Sequence, residues 1–185
     1  MPDASILKVA ILAALRIFVK ISDTYAFKAD QQAVWQLLMN ADAIAKALPG
    51  VDHLVPIEGE SNYWRATAKI GIAAVSGTYR GTVRMSELTP PNSYRLTVNG
   101  EGQASIINGS ALLTLSFDSA KESTMVTWTA DATVSGRLAS VGQRLVTAAA
   151  NMLARQFFRR LARQLPGAEI EAETEQEGRK NNDST

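Results

Sequence analysis

The feature that most limits what this chain can fold into is an unbroken two-residue alternation that runs from Val75 to Ser86. One set of alternate positions reads Val75, Gly77, Tyr79, Gly81, Val83, Met85; the other reads Ser76, Thr78, Arg80, Thr82, Arg84, Ser86, and the pattern ends at Glu87. Successive side chains of a strand point to opposite faces, so this pattern specifies a half-buried antiparallel strand with one apolar face. The same split recurs in Trp64, Ala66, Ala68, Ile70 and in Val126, Trp128, Ala130, Ala132, Val134, each interleaved with polar residues. Tyr94, Leu96, Val98, Gly100 and then Ile107, Gly109, Ala111, Leu113, Leu115, Phe117 complete the set. Turn residues separate them at Gly59-Glu60-Ser61-Asn62, at Pro90-Pro91-Asn92 and from Asp118 to Ser123.

Ahead of this run a strand is predicted from about Phe18 to Phe27. Asp30 then stands at an N-cap position before Val34, Leu37 and Leu38, and a second short helix from Ala41 to Leu48 is stopped by Pro49-Gly50. After the strands, a long helix is predicted from about Arg137 to Leu165, ended by Pro166-Gly167. The order predicts an α+β domain: an antiparallel sheet wrapped around a long C-terminal helix, with two short helices after the first strand. Within the long helix, Leu138, Val141, Leu145, Ala148, Ala149 and Met152 share one side. Ala154, Phe157, Phe158, Leu161 and Leu165 fall nearly opposite, so the apolar stripe is expected to change face. Arg155, Phe157, Phe158, Arg159, Arg160 and Arg163 then form a basic amphipathic end suited to an anionic membrane or a partner. The alternative is that Phe157 and Phe158 pack on the N-terminal extension or on the two short helices.

The chain has no cysteine, which excludes disulfides and thiolate metal sites and makes a cytoplasmic setting the default. A net charge of +1 gives no general affinity for nucleic acid. Charge is nonetheless segregated: no acid occurs between Arg137 and Ala168, whereas Glu169 to Thr185 holds five Glu and one Asp. That tail, residues 166–185, has little to bury and is expected to be disordered. Residues 1–18 carry an apolar run interrupted by Lys8 and Arg16, shorter than the roughly 20 residues of a spanning helix. They read as a membrane-surface helix, a docked helix or an extension from an upstream start, the last being preferred. The domain itself is assigned to residues 19–165.

Catalysis needs a nucleophile with its base, a carboxylate pair or converging metal ligands. None is legible: His53 is the sole histidine, and Gly100-x-Gly102 neither follows a parallel strand nor opens a helix. The small and aromatic positions assigned to the interior, Trp64, Tyr79, Gly81, Tyr94, Gly100, Gly109, Ala111 and Trp128, are instead expected to line a cavity for an apolar small molecule. The glycines also have a purely structural reading, as bulges and bends of a curled sheet.

Several segments carry a family resemblance. Lys20-Ile21-Ser22-Asp23-Thr24-Tyr25-Ala26-Phe27, Ala33-Val34-Trp35-Gln36-Leu37-Leu38 and Leu48-Pro49-Gly50-Val51 resemble the opening of CoxG, the G-subunit family of carbon monoxide dehydrogenase, in the START-like (SRPBCC), helix-grip superfamily. Gly77-Thr78-Tyr79-Arg80-Gly81, Gly100-Glu101-Gly102, Gly109 and the stretch from Val134 to Leu145 are similar to its later signatures, so the likeness spans roughly Val19 to Leu165. It implies a helix-grip fold and a non-catalytic accessory protein of a molybdenum hydroxylase, acting in maturation, membrane recruitment or electron transfer. The expected ligand is a quinone or lipid, not covalently held, with tyrosine hydroxyls serving a quinone carbonyl. The expected location is cytoplasmic, with peripheral contact at the inner face of the cytoplasmic membrane. A polyketide cyclase or aromatase-like enzyme of the same superfamily, with Tyr79 or Tyr94 as acid, is the competing reading. Because family members begin near the position of Val19, residues 1–18 are expected to lie upstream of the native start.

Overall fold

The computed structural model describes residues 15–166 and 170–172. Most of the apolar extension and most of the acidic tail therefore lie outside the described residues. The alternating segments become β3 (Tyr63–Ile70), β4 (Gly77–Thr89), β5 (Ser93–Gly102), β6 (Ser105–Asp118) and β7 (Ser123–Gly136), a meander of antiparallel hairpins. β2 (Val51–Pro56) adds beyond β3, and β1 (Arg16–Phe27) pairs along β7. Where the sequence alternation stops, Glu87 takes a φ of 52° and the register shifts between Ser86 and Thr89, a bulge that ends regular pairing.

Two boundaries differ from expectation. Arg16, Ile17 and Phe18 already pair with Ser135, Val134 and Thr133, so the sheet takes up the last three residues assigned to the extension. Ile17 continues the inward series of Val19 and Ile21, which is reason enough for the strand to start there. At the other end, β8 (Ile170–Ala172), within the tail expected to be disordered, pairs with Tyr25 to Phe27. The free edge of β1 offers unpaired backbone groups that such a segment satisfies.

Helices α1 (Gln31–Met39) and α2 (Ala41–Ala47) connect β1 to β2. Asp30 caps α1 by accepting a hydrogen bond from the Ala33 N–H at 2.8 Å. Asn40 ends α1 and begins α2: its Oδ1 accepts from the N–H groups of Asp42 and Ala43, each at 3.0 Å. Two orphan donors depend on that one oxygen, so Asn40→Ala is expected to cost about 1 kcal/mol in urea denaturation, with Asn40→Asp close to neutral.

The long C-terminal helix is divided. α3 (Arg137–Ser140) is separated from α4 (Gln143–Ala162) by Gly142, whose φ of 95° cannot continue a helix. The apolar stripe of α4 does not change face. Val146, Ala149, Phe158, Leu161 and Ala162 are buried with Leu153, Ala154 and Phe157 half-buried between them, one continuous series at helical spacing. Leu145 and Met152, assigned to the buried side, are instead 53% and 43% exposed. Residues 145–150 are nearly all apolar, so local periodicity cannot fix the phase that packing selects.

α4 rests on β1 and on α2, and the Gln164 amide donates to the Ala43 carbonyl at 2.9 Å to pin its end. Two apolar clusters result. The larger joins α1, α2 and the C-terminal half of α4 to Tyr25, Phe27, Tyr94, Leu113, Leu115, Val126 and Trp128. The smaller joins Val146 and Ala149 to Val19, Val134, Val75 and Leu138. A sheet gripping a helix through its inner face is the helix-grip arrangement.

Candidate ligand-binding cleft

Strand register places side chains in rows across the inner face. One row reads Ala66, Gly81, Gly100, Ile107, Val134, Ile17. The next reads Trp64, Val83, Val98, Gly109, Ala132, Val19, and then Met85, Leu96, Ala111, Ala130, Ile21. Most members of these middle rows are only half-buried although they face α4: Ala66, Gly81, Val83, Leu96, Val98, Gly100, Gly109, Ala130 and Ala132 all retain access to solvent. Small side chains make an inner band that is only partly covered, with Leu96 and Ala130 packed at the edge of the larger cluster and Ala132 and Ile107 at the edge of the smaller.

All eight residues expected to line a cavity lie on this inner face, but the structure divides them. Trp64, Tyr94, Ala111 and Trp128 are buried in the larger cluster, with Tyr94 edge-on to Trp35 at 5.8 Å between ring centroids. Tyr79 packs against the smaller cluster and its hydroxyl donates to the Val75 carbonyl at 2.9 Å. Gly81 is a structural glycine: a Cβ there would collide with the backbone carbonyl of Asn99. Gly100 and Gly109 do open space, since a Cβ on Gly100 would meet only the Arg80 carbonyl at 3.8 Å and one on Gly109 the Ala132 Cβ at 3.5 Å. Ala66, Leu96, Val98, Ala130 and Ala132 complete the band; their alternation was visible, but not which inward positions the helix would leave uncovered.

Two further residues of this face were not among the positions expected to line a cavity. Asp23 of β1 points inward opposite Trp128, in a position the alternation reserves for an apolar residue, and accepts from the Thr24 N–H at 2.8 Å. Tyr25, one inward position further on, is 2% exposed and stacks on Phe158 at 4.3 Å between ring centroids. Burial, then the Asp23 carboxylate, pushes the Tyr25 hydroxyl well above the usual phenol range, with Arg155 and Arg159 opposing. Burial raises Tyr94 strongly and Tyr79 in the same direction, Arg137 opposing at the latter. At neutral pH all three are hydrogen-bond donors rather than bases.

The basic helix end is corrected in one respect. Arg155, Arg159, Arg160 and Arg163 are exposed, but Phe158 is 3% exposed at the centre of the larger cluster and Phe157 is half-buried against it at 5.0 Å. Phe158 therefore cannot insert into a membrane without unfolding the core. Among the described residues no helix is long and apolar enough to cross a membrane, and no three His, Asp or Glu side chains gather as metal ligands. A second depression of about 610 Å³ is lined on the outer face by Phe18, Lys20, Asn99, Asn108 and Asp131 and reaches Gly109 and Ala132, a mixed apolar and polar surface.

Comparison with known proteins bears on this geometry. The sequence model of CoxG, the G subunit of carbon monoxide dehydrogenase, matches residues 24–166. No curated protein matches the chain. Among solved structures, a conserved protein from Geobacillus kaustophilus is 30% identical with a TM-score of 0.71, over 78% of this chain and 94% of that one. The ZhuI aromatase/cyclase from Streptomyces sp. R1128 is 12% identical with a TM-score of 0.60, over 80% and 93%. A truncated norcoclaurine synthase from Thalictrum flavum is 10% identical with a TM-score of 0.57, over 80% and 94%; the last two likenesses concern the fold alone.

Proposed function

We propose, because the chain belongs to the CoxG family of carbon monoxide dehydrogenase, that it is a non-catalytic accessory protein of a molybdenum hydroxylase and holds an isoprenoid quinone or similar lipid between its sheet and α4. The observation that carries this reading is the band of small, half-buried residues on the inner face, around Gly100, Gly109, Ala130 and Ala132. A folded domain ordinarily fills its interior to crystal-like density, so an inward surface left accessible is retained for something to occupy. The enzyme reading has less support: the Tyr79 hydroxyl is spent on a backbone carbonyl and Tyr94 is sealed in the core. The exposed arginines of α4 supply the partner or anionic-lipid contact, joined by Leu145 and Met152 on the exposed side in place of the phenylalanines.

Gly109→Leu tests the cleft. Its Cβ meets only ordinary contacts, so the added side chain should extend along the band and occupy it without disturbing the strands. Extraction and native mass spectrometry should find lipid on the purified wild-type protein and about tenfold less on the variant, a loss of about 1.4 kcal/mol in binding. Lipid-free wild-type protein, or equal occupancy in the two, would sink the reading.

A further inference from the structure

The exposed face of α4 carries charge of one sign. Arg144, Ala148, Met152, Arg155 and Arg159, flanked by Leu145 and Arg163, are exposed and fall within about 100° of a wheel with 3.6 residues per turn. No acid occurs on α4, and among the described residues none of these arginines pairs with a carboxylate. The nearest acids in sequence come directly after β8, where Glu173, Glu175 and Glu177 alternate ahead of Arg179 and Lys180. β8 brings that run to the helix. Ala172 pairs with Tyr25, whose ring stacks on Phe158 and whose hydroxyl lies within electrostatic reach of Arg155 and Arg159. Because β8 runs antiparallel to β1, the chain passes Tyr25 heading toward Val19. α4 follows the same line, from Phe158 at Tyr25 back to Ala149 and Val146 beside Val19. Extended chain advances about 3.3 Å per residue, so residues 173–177 reach about 16 Å beyond Ala172. Arg155 lies as far from Arg144 on a helix rising about 1.5 Å per residue.

We propose that residues 173–177 cross from β8 onto α4 and cover this face, with Glu173, Glu175 and Glu177 set among Arg159, Arg155 and Arg144, so that an anionic membrane must displace the chain's own tail to reach them. The docking follows from charge and placement; only the identity of the competitor rests on the anionic-lipid contact assigned to these arginines above. In an extended segment alternate side chains share one side, so the three carboxylates face the helix together. Each exposed ion pair is weak alone, but β8 tethers the segment beside Tyr25, and tethering presents it at an effective concentration on the order of millimolar. Continuing along the edge of β1 offers the same carboxylates less. That register carries Glu173, Glu175 and Glu177 past Thr24, Ser22 and Lys20, and the Lys20 ammonium already lies 3.7 Å from the Asp131 carboxylate.

The chain has no cysteine, so an introduced pair reports on one contact. In the full chain, Met152→Cys with Gln176→Cys should form a disulfide under mild oxidation about tenfold faster at low salt than at about 1 M, where the screening length falls to about 3 Å. Arg155→Gln plus Arg159→Gln should remove that advantage. Trapping of Ser22→Cys with Glu175→Cys in its place would show the tail continuing along β1 and overturn the proposal, as would trapping at Met152 that ignores both salt and the arginines. Vesicles of phosphatidylglycerol and phosphatidylcholine measure the consequence. Glu173→Gln, Glu175→Gln and Glu177→Gln together should raise vesicle affinity about tenfold in the native background, and about twofold or less beside Arg155→Gln and Arg159→Gln. Equal affinity of the acidic and amide chains overturns the proposal. Equal gains in both backgrounds do so too, since the tail would then repel the membrane without docking. If neither chain binds vesicles while the Met152 disulfide keeps its dependence on salt and arginines, the docked tail stands and the anionic-lipid contact of the arginines falls.

Discussion

Phe158→Ala is expected to lower the stability of the domain by about 3–5 kcal/mol, the range for truncating a buried aromatic side chain. Phe158 is where the elements of the larger cluster meet. Its ring stacks on Tyr25 at 4.3 Å, stands edge-on to Phe27 at 6.4 Å, tilts against Trp128 at 6.0 Å and touches Phe157 at 5.0 Å. Each favourable ring geometry adds about 0.5–1.5 kcal/mol beyond area burial, and truncation forfeits these as well as leaving a void. The neighbouring rings sit on β1 and β7, whose ladder is fixed by backbone hydrogen bonds, so they cannot collapse into the space. Phe157→Ala removes a half-buried ring and should cost about 1–2 kcal/mol. Equilibrium denaturation in urea separates the two variants. Similar losses would show that α4 is anchored by its general apolar surface rather than by the one ring.

The same pair of residues shows where reading the sequence stops. Period two in β3 to β7 is a local property, so each strand and its inward face were legible from a handful of residues, and the sheet followed. Helical phase is not local in this chain. Leu145 and Val146 lie side by side, as do Phe157 and Phe158, and in each pair one residue is buried while the other is exposed or half-buried. Only docking on β1 and α2 chooses between them. Gly81 and Gly109 look alike in sequence, yet one faces a backbone carbonyl across the ladder and the other an alanine methyl group. That distinction depends on the bending of neighbouring strands. Asp23 breaks the alternation of β1, and a single exception within an apolar series carries no signal of its own until Tyr25 and Trp128 are seen beside it.

Gly136→Ala should approach Phe158→Ala in its effect, through the backbone rather than the core. Gly136 hands β7 over to α3 at φ 79°, ψ −146°, a region that L side chains rarely occupy, at a strain of about 1–3 kcal/mol. Space compounds the strain, since a Cβ would press into the Ala104 carbonyl and approach the Ser105 Cα to 3.0 Å. Relief requires the β5–β6 turn to move away, and that turn is held by the hydrogen bonds that start the helix. The Ala104 carbonyl accepts from the Arg137 N–H at 3.1 Å, and the buried Ser105 Oγ accepts from the Leu138 N–H at 2.9 Å. Crowding of this kind costs about 1–3 kcal/mol more, for a total of about 4 kcal/mol. Gly142→Ala is the matched control: its φ of 95° is also left-handed, but a Cβ there meets nothing within 4 Å, so only the strain remains. Denaturation should therefore find Gly136→Ala about twice as damaging as Gly142→Ala. Equal losses would mean that the strand-to-helix joint yields freely, and that the hydrogen bonds of Ala104 and Ser105 do not fix where the gripping helix begins.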